Sequence, residues 1–391
     1  MTTITGHVAA GWEGVRDAFA RNFAETEEVG AGVAIYHRGT LVVDLTGGSF
    51  DESDSKPYDG STLQLVFSTT KGITAIALAM CVERGLISYD DLVVKHWPEF
   101  AEHGKDKATV AQLLSHQCGL IAPDGDMTMA EVLDWDTITA RMAATKPDWE
   151  IGTGHGYHAL TYGFLAGELI RRVDPGHRTP GKFVADEIVK PLGVELWIGL
   201  PEDHEHRASP IIGRLADENP DPAVAAMLEM FMGPKTRGGR ALFLNGIFGD
   251  GAFNRRDVHA AELPAANGIT NAGALAKIYA ATLGPVDGVR LLNDEVRDIA
   301  RTCVTPSGEG DLCLIMATTF GMGFMTHGAF SMFAGPGSYG HPGAGGSVAF
   351  AQPERDLAFA YVMNRSAQNL ANDLRAQRLI DAAAAIIHAG N

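Results

Sequence analysis

Cysteine is scarce in this chain of 391 residues, with four copies (Cys81, Cys118, Cys303 and Cys313) and no Cys-x-x-Cys pair. Each lies in or beside an apolar stretch, so reduced, buried thiols are expected rather than disulfides or a thiolate metal site. Positive charge is short as well: 31 Lys and Arg face 48 Asp and Glu, a formal net charge of −17. Such a chain repels a phosphate backbone, which argues against nucleic acid as a partner and leaves the acidic excess as a solubilising surface. Nowhere do about 18 apolar residues run together without charge, so no ordinary membrane-spanning helix is expected. The N-terminal stretch lacks a basic start followed by an apolar core, so no secretory signal and a cytoplasmic location are expected. A Gly-x-Ser-x-Gly pentapeptide is also missing, which speaks against an α/β-hydrolase nucleophile elbow. What remains, at 46% hydrophobic and 20% charged residues, is an ordinary globular composition. Glycine stands out with 46 copies, suited to tight turns and close backbone approaches around a crevice.

Periodicity organises the two ends alike. Val8, Trp12, Val15, Phe19 and Phe23 predict an amphipathic helix over residues 7–24. The β-rich runs 30–39 and 40–48 follow, joined through Arg38-Gly39 as a hairpin. A second pair, 345–354 and 355–364, turns around Pro353-Glu354-Arg355 and precedes a helix from Leu374 to His388. Between the ends, helices are expected at 71–85, 109–116, 159–172 and 271–283, while 201–262 is rich in Pro, Gly and charge and reads as irregular. The expected architecture is α/β plus all-α: one antiparallel sheet assembled from both chain ends (1–60 and 288–391) and flanked by helices, with a mainly helical domain (61–287) inserted and the active site at the interface.

A Ser-x-x-Lys motif sets a hydroxyl and an amine one helical turn apart, on one face and within reach of each other. It occurs twice, as Ser53-Asp54-Ser55-Lys56 and Ser68-Thr69-Thr70-Lys71. The first sits among acidic residues before Pro57, where the lysine is hydrated and protonated. The second follows the apolar run 63–67 and opens an apolar helix. A helix N-terminus there directs backbone N–H groups at an oxyanion, and burial favours the neutral amine of Lys71. The alternative is an N-cap serine beside a snorkelling lysine.

Two further segments share this glycine-framed character. Residues 149–163 crowd four glycines around Tyr157, a general base or proton relay if a neighbouring ammonium lowers its pKa, or else a packed loop tyrosine. His155 and His158 have no nearby carboxylate or cysteine to complete a metal site, so neither metal nor cofactor is expected. The segment 339–347 has glycines, Gly343 and Gly345 among them, that admit a substrate close to a strand edge. A backbone N–H near Ala344 is a candidate second oxyanion donor, and His341 is a candidate substrate contact or a strand cap.

Together these segments resemble the serine β-lactamase-like superfamily, and most closely its family VIII carboxylesterases. Ser68-Thr69-Thr70-Lys71 fits the S-x-x-K element, Tyr157-His158-Ala159 the Y-x-x element, and His341-Pro342-Gly343 stands in the place of K-T-G. Leu113 to Leu120, Pro264 to Ala272 and Phe320 to Phe324 look like further family segments. The resemblance implies a β-lactamase-like fold and a Ser68 acyl-enzyme with Lys71 and Tyr157 sharing the base role. It also implies weaker recognition of anionic β-lactams, since His341 and Pro342 replace the lysine and threonine that hold a substrate carboxylate. A small-molecule carboxylic ester, preferably short-chain, is therefore the expected substrate. The same machinery could transfer an acyl group, open a small amide or hydrolyse a β-lactam, and a chain that kept only the fold would be a non-catalytic binding protein. Met227, Met230, Phe231 and Met232 are candidates for an apolar acyl pocket or for ordinary helix packing.

Overall fold

The computed structural model describes residues 2–213, 222–249, 251–305, 309–314, 316–367 and 372–390, apart from the side chains of 222–225 and 228. A seven-stranded sheet is built from both chain ends: β1 (Ile4–Val8), β2 (Gly30–His37) and β3 (Thr40–Gly48) with β8 (Met325–Thr326), β9 (Tyr339–Pro342), β10 (Val348–Gln352) and β11 (Leu357–Met363). Its order is β1-β3-β2-β11-β10-β9-β8 and every neighbouring pair is antiparallel. The β2–β3 hairpin turns at Arg38 (φ 51°) and Gly39 (φ 73°), two consecutive left-handed residues, as a turn that matches strand twist requires. A second, four-stranded sheet contains β4 (Leu63–Leu65), β5 (Leu196–Trp197), β6 (Ala208–Ser209) and β7 (Ile269–Thr270), in the order β5-β7-β4-β6.

The helices used below are α1 (Glu13–Glu25), α2 (Thr70–Glu83), α3 (Thr161–Val173), α4 (Pro222–Met232), α5 (Arg237–Phe243), α6 (Ala272–Leu283) and α7 (Leu374–Ala389). Alternation along β11 decides which helices cover which face. Leu357, Phe359, Tyr361 and Met363 join Phe19, Leu379 and Ile387 of α1 and α7 in one core. Ala358, Ala360 and Val362 face the other way, into the core that holds Leu275 and Ile278 of α6 and Ile76 and Leu78 of α2. Alanines on that face let the alanine-rich α6 pack closely on β2, β10 and β11. Helix α6 thus lies on the sheet although it falls within the 61–287 stretch. Helix α2 is buried along all of Thr70–Cys81, as expected of a helix apolar all round. It stops before Gly85, whose left-handed φ of 69° ends such a helix readily.

Four sequence expectations need correction. The 7–24 helix begins at Glu13, because Ile4–Val8 pairs with β3 as an edge strand; Val8 merely continues the apolar spacing of the helix. The stretch 201–262 contains α4 and α5, whose apolar sequences fold as helices despite flanking Pro and Gly, while residues 214–221 and 250 lie outside the described residues. Of the four cysteines, all free, Cys303 is exposed and only Cys81, Cys118 and Cys313 are buried. Residues 345–347 form a short turn rather than the start of β10. No helix among the described residues is long and apolar enough to cross a membrane.

Candidate active site

Ser68 lies in a single 3-10 turn, Phe67–Thr69, that runs directly into α2. The backbone enters this turn through Phe67 at φ 46°, an unfavourable conformation for a bulky residue. Surrounding bonds hold it there: the Val66 N–H donates to Gly268 O at 2.9 Å, the Thr70 hydroxyl donates to Phe67 O at 2.6 Å, and the Gly268 N–H donates to Thr70 Oγ1 at 2.8 Å. The elbow is also pinned from β10, since the Ser347 hydroxyl donates to Val66 O at 2.8 Å and its Oγ lies 3.1 Å from Thr69 Oγ1. Gly343 fits between them because a Cβ there would stand 2.2 Å from Ser347 Oγ and 2.3 Å from Val66 O.

Ser68 Oγ is met by two side chains, Lys71 Nζ at 3.0 Å and the Tyr157 hydroxyl at 2.7 Å. It does not cap the helix, since neither the turn nor α2 has a side-chain cap bond. Lys71 is fully buried, and its Nζ also donates to Ala159 O at 2.6 Å and Ala265 O at 3.0 Å, 4.8 Å from the centre of the Tyr157 ring. Burial alone holds its pKa well below the usual lysine value, because the charged form loses its water. Burial pushes Tyr157 the opposite way, above the usual phenol range, with only the Ser68 bond opposing it. One group is driven toward neutral amine and the other kept as neutral phenol.

The remaining sequence candidates occupy two places. His341, buried at the end of β9, stacks on Tyr157 with ring centroids 5.8 Å apart. Its Nδ1–H donates to Pro342 O at 2.7 Å, which leaves Nε2 as a bare acceptor. Burial first, and Lys71 second, hold its pKa well below the histidine norm, so it carries no charge. Ala344 is exposed at the rim while Gly343 and Gly345 are buried behind it. Among the bonds of the described residues none takes up the backbone N–H of Ser68 or of Ala344. His155 and His158 are structural: His155 Nε2 lies 3.2 Å from Thr318 Oγ1, and His158 accepts from the Leu120 N–H at 2.9 Å and donates to Gly156 O at 2.6 Å. Burial lowers His158 to about 4, so it stays neutral. The other Ser-x-x-Lys copy is an exposed loop in which Ser53 and Ser55 both bond to Asp51 and Lys56 donates to His206 O. Of the four apolar candidates on α4, Met227, Met230 and Phe231 are exposed rather than packed, and Met232 is half-buried.

One residue with no sequence signal supports Tyr157. Asp311, buried, accepts the Tyr157 N–H at 3.1 Å on Oδ1, together with the N–H groups of Cys313 (2.8 Å) and Leu314 (2.9 Å), while Oδ2 accepts the Thr318 hydroxyl at 2.6 Å. It ties a loop 154 residues away to the tyrosine, a link that local pattern cannot reveal. Asp311→Ala should orphan three backbone donors, costing about 1–3 kcal/mol of stability and roughly tenfold in kcat as Tyr157 loses its position. Thermal unfolding and steady-state kinetics would check this, and an unchanged kcat at lowered Tm would show that Tyr157 is held without it.

Residues 15–384 match the Beta-lactamase family. The esterase/β-lactamase LipL of Mycobacterium tuberculosis is 33% identical over 356 residues, covering 89% of this chain and 80% of that protein. Among solved structures, a penicillin-binding protein homologue from Caulobacter crescentus superposes with a TM-score of 0.85 at 37% identity, covering 98% of this chain and all (100%) of the other. A family VIII carboxylesterase gives 0.84 at 34% identity, with 98% and 100% covered. The fold and the Ser-Lys-Tyr grouping define a serine hydrolase of β-lactamase-like architecture. The chain belongs to the Beta-lactamase family, and its family VIII carboxylesterase resemblance is borne out by these relatives.

Proposed function

We propose that the protein hydrolyses carboxylic esters, preferably with short acyl chains, through an acyl-enzyme on Ser68. The observation that carries the reading is the paired approach of Lys71 Nζ and Tyr157 OH, at 3.0 and 2.7 Å, to the hydroxyl oxygen of one half-buried serine. As a neutral amine, Lys71 spends its two N–H groups on Ala159 O and Ala265 O and turns its lone pair to the Ser68 hydroxyl. It takes the serine proton as Oγ attacks the ester carbonyl. The oxyanion that forms is met by the free N–H groups of Ser68 and Ala344. On collapse the departing alkoxide takes the phenolic proton of Tyr157, which regains one from Lys71, so both groups end as they began. Water then attacks the acyl-enzyme with the same proton traffic, releasing the acid and restoring Ser68.

Substrate preference follows from His341. A buried, neutral imidazole offers an acceptor where a carboxylate-bearing substrate needs a cation, which supports uncharged esters over anionic β-lactams. Met230 is 70% exposed, and with Met227 and Phe231 open to solvent these side chains form no closed tunnel for a long chain. A panel of nitrophenyl esters of increasing acyl length, run beside a chromogenic cephalosporin, tests both points. Acetate or butyrate is expected to turn over fastest, with kcat/KM at least about a hundredfold above the cephalosporin. A cephalosporin cleaved faster than every ester would overturn the reading.

A further inference from the structure

Gly345 O, beside the proposed oxyanion donor Ala344, accepts two hydrogen bonds at 2.8 Å, from the Ala367 N–H and from Arg375 Nη2. Arg375 belongs to α7 and is 4% exposed, an unusual depth for a guanidinium. All five of its N–H donors are used. Nε donates to Asp373 Oδ1 at 3.1 Å and Nη2 to Asp373 Oδ2 at 2.7 Å. Nη1 donates to Glu28 Oε1 at 3.1 Å and to Arg365 O at 2.9 Å. Glu28 in turn accepts from the Tyr361 hydroxyl. A buried ion cluster of this kind contributes little net stability against an apolar core of the same volume. Its geometry has a specific effect instead, because the rigid fork joins the Ala367 N–H in fixing the carbonyl that lies behind the exposed Ala344.

The turn has two anchors. On the strand side the Gly343 N–H donates to Ser347 O at 2.6 Å and the Gly346 N–H to Gly343 O at 3.2 Å. On the other side, among the described residues, the Ala367 N–H and Arg375 hold the Gly345 carbonyl. With the Gly345 carbonyl released, the left-handed glycines Gly345 (φ 82°) and Gly346 (φ 128°) would let the turn relax, and the adjoining Ala344 N–H would lose its fixed direction.

We infer that Arg375 is a positioning residue for the oxyanion loop, holding Gly345 O so that the Ala344 N–H points at the tetrahedral oxyanion. This rests on the esterase reading of the site and on Ala344 as its second donor. An oxyanion donor acts on the transition state more than on the bound ester, so its misalignment lowers kcat and spares KM.

Three variants of the full-length protein separate the possibilities. Arg375→Lys retains charge but has one donor group where five N–H groups worked. Tyr361→Phe loosens the same cluster through Glu28 without touching Gly345. Ala344→Pro removes the donor itself, and Gly343 is already extended (φ −110°, ψ 154°), the conformation favoured before proline. Ester kinetics, thermal unfolding and inhibition by an arylboronic acid, whose adduct on Ser68 mimics the tetrahedral species, are measured on each. Arg375→Lys is expected to lower kcat roughly tenfold or more with KM within about twofold, and to weaken the boronate by a similar factor. Tyr361→Phe, even at an equal loss of Tm, should keep kcat and boronate affinity near wild type. Equal losses of kcat in Arg375→Lys and Tyr361→Phe at matched Tm would reduce Arg375 to a stability role and overturn the inference. If Ala344→Pro were slowed a hundredfold while folded Arg375→Lys kept full kcat, the oxyanion reading would stand and the Arg375 inference would fall. If Ala344→Pro kept full activity, the oxyanion reading itself would be wrong and the inference would fall with it.

Discussion

Ser68→Ala is expected to lower ester turnover by roughly 10⁴-fold or more while moving the melting temperature by no more than about 2 °C. The two halves of that expectation have different sources. Activity depends on Oγ as the atom that bonds to the acyl group, and neither Lys71 nor Tyr157 can replace it, because both are buried behind it. Stability hardly depends on it, because Oγ bonds to those two side chains, accepting from Tyr157 and donating to the Lys71 amine, and satisfies no backbone N–H at the start of α2. A serine that merely capped the helix would behave in reverse, losing about 1 kcal/mol of stability with activity intact. Mass spectrometry after a short ester pulse gives an independent reading: wild type should gain the acyl mass and Ser68→Ala should not. Ester turnover by Ser68→Ala at wild-type rate, with no acyl adduct on the wild type, would move the nucleophile elsewhere.

How much of this was legible in the sequence follows the reach of each interaction. The β-rich runs over 30–37, 40–48, 348–352 and 357–363 announce strands because residues that bury on both faces of a sheet form nearly continuous apolar stretches, which short-range pattern shows. The edge strand Ile4–Val8 escapes because its three middle residues are exposed, which leaves no alternation to read. Ser68 and Lys71 are three residues apart and share a helix face, so a motif captures them; Tyr157 is found through its glycines. Asp311 and Arg375 act across 154 and 30 residues on backbone atoms of the Tyr157 and Gly345 loops. A contact to a backbone atom imposes no residue type on its partner, so nothing in the sequence marks it. His341 is a middle case. Its position is legible, but its tautomer depends on the Pro342 carbonyl and becomes visible only in three dimensions.

Lys71→Met is expected to lower kcat/KM by about 10²–10⁴-fold and to raise stability, most clearly at low pH. Methionine has nearly the length of lysine and suits the apolar core around Ile73 and Ile76, but it has no lone pair to take the serine proton. The stability sign follows from linkage. In the unfolded chain Lys71 binds a proton up to about pH 10.4, whereas burial depresses its folded pKa well below that. Between the depressed folded value and the unfolded one, the unfolded state holds more protons, so wild-type stability rises with pH through that window and falls as pH drops. Methionine removes this dependence, so wild type and variant should differ most in acid and converge toward pH 10. Two opposing losses temper the gain, since Ala159 O and Ala265 O each lose a donor. The wild-type rate should rise with pH along a limb set by the same amine, because only its neutral form accepts the Ser68 proton. Denaturant melts from pH 5 to 10, beside pH–rate profiles on one nitrophenyl ester, read both consequences of a single buried amine. A variant that stays dead but melts in parallel with wild type at every pH would show that Lys71 is charged in the folded protein, and the base role would then pass to Tyr157.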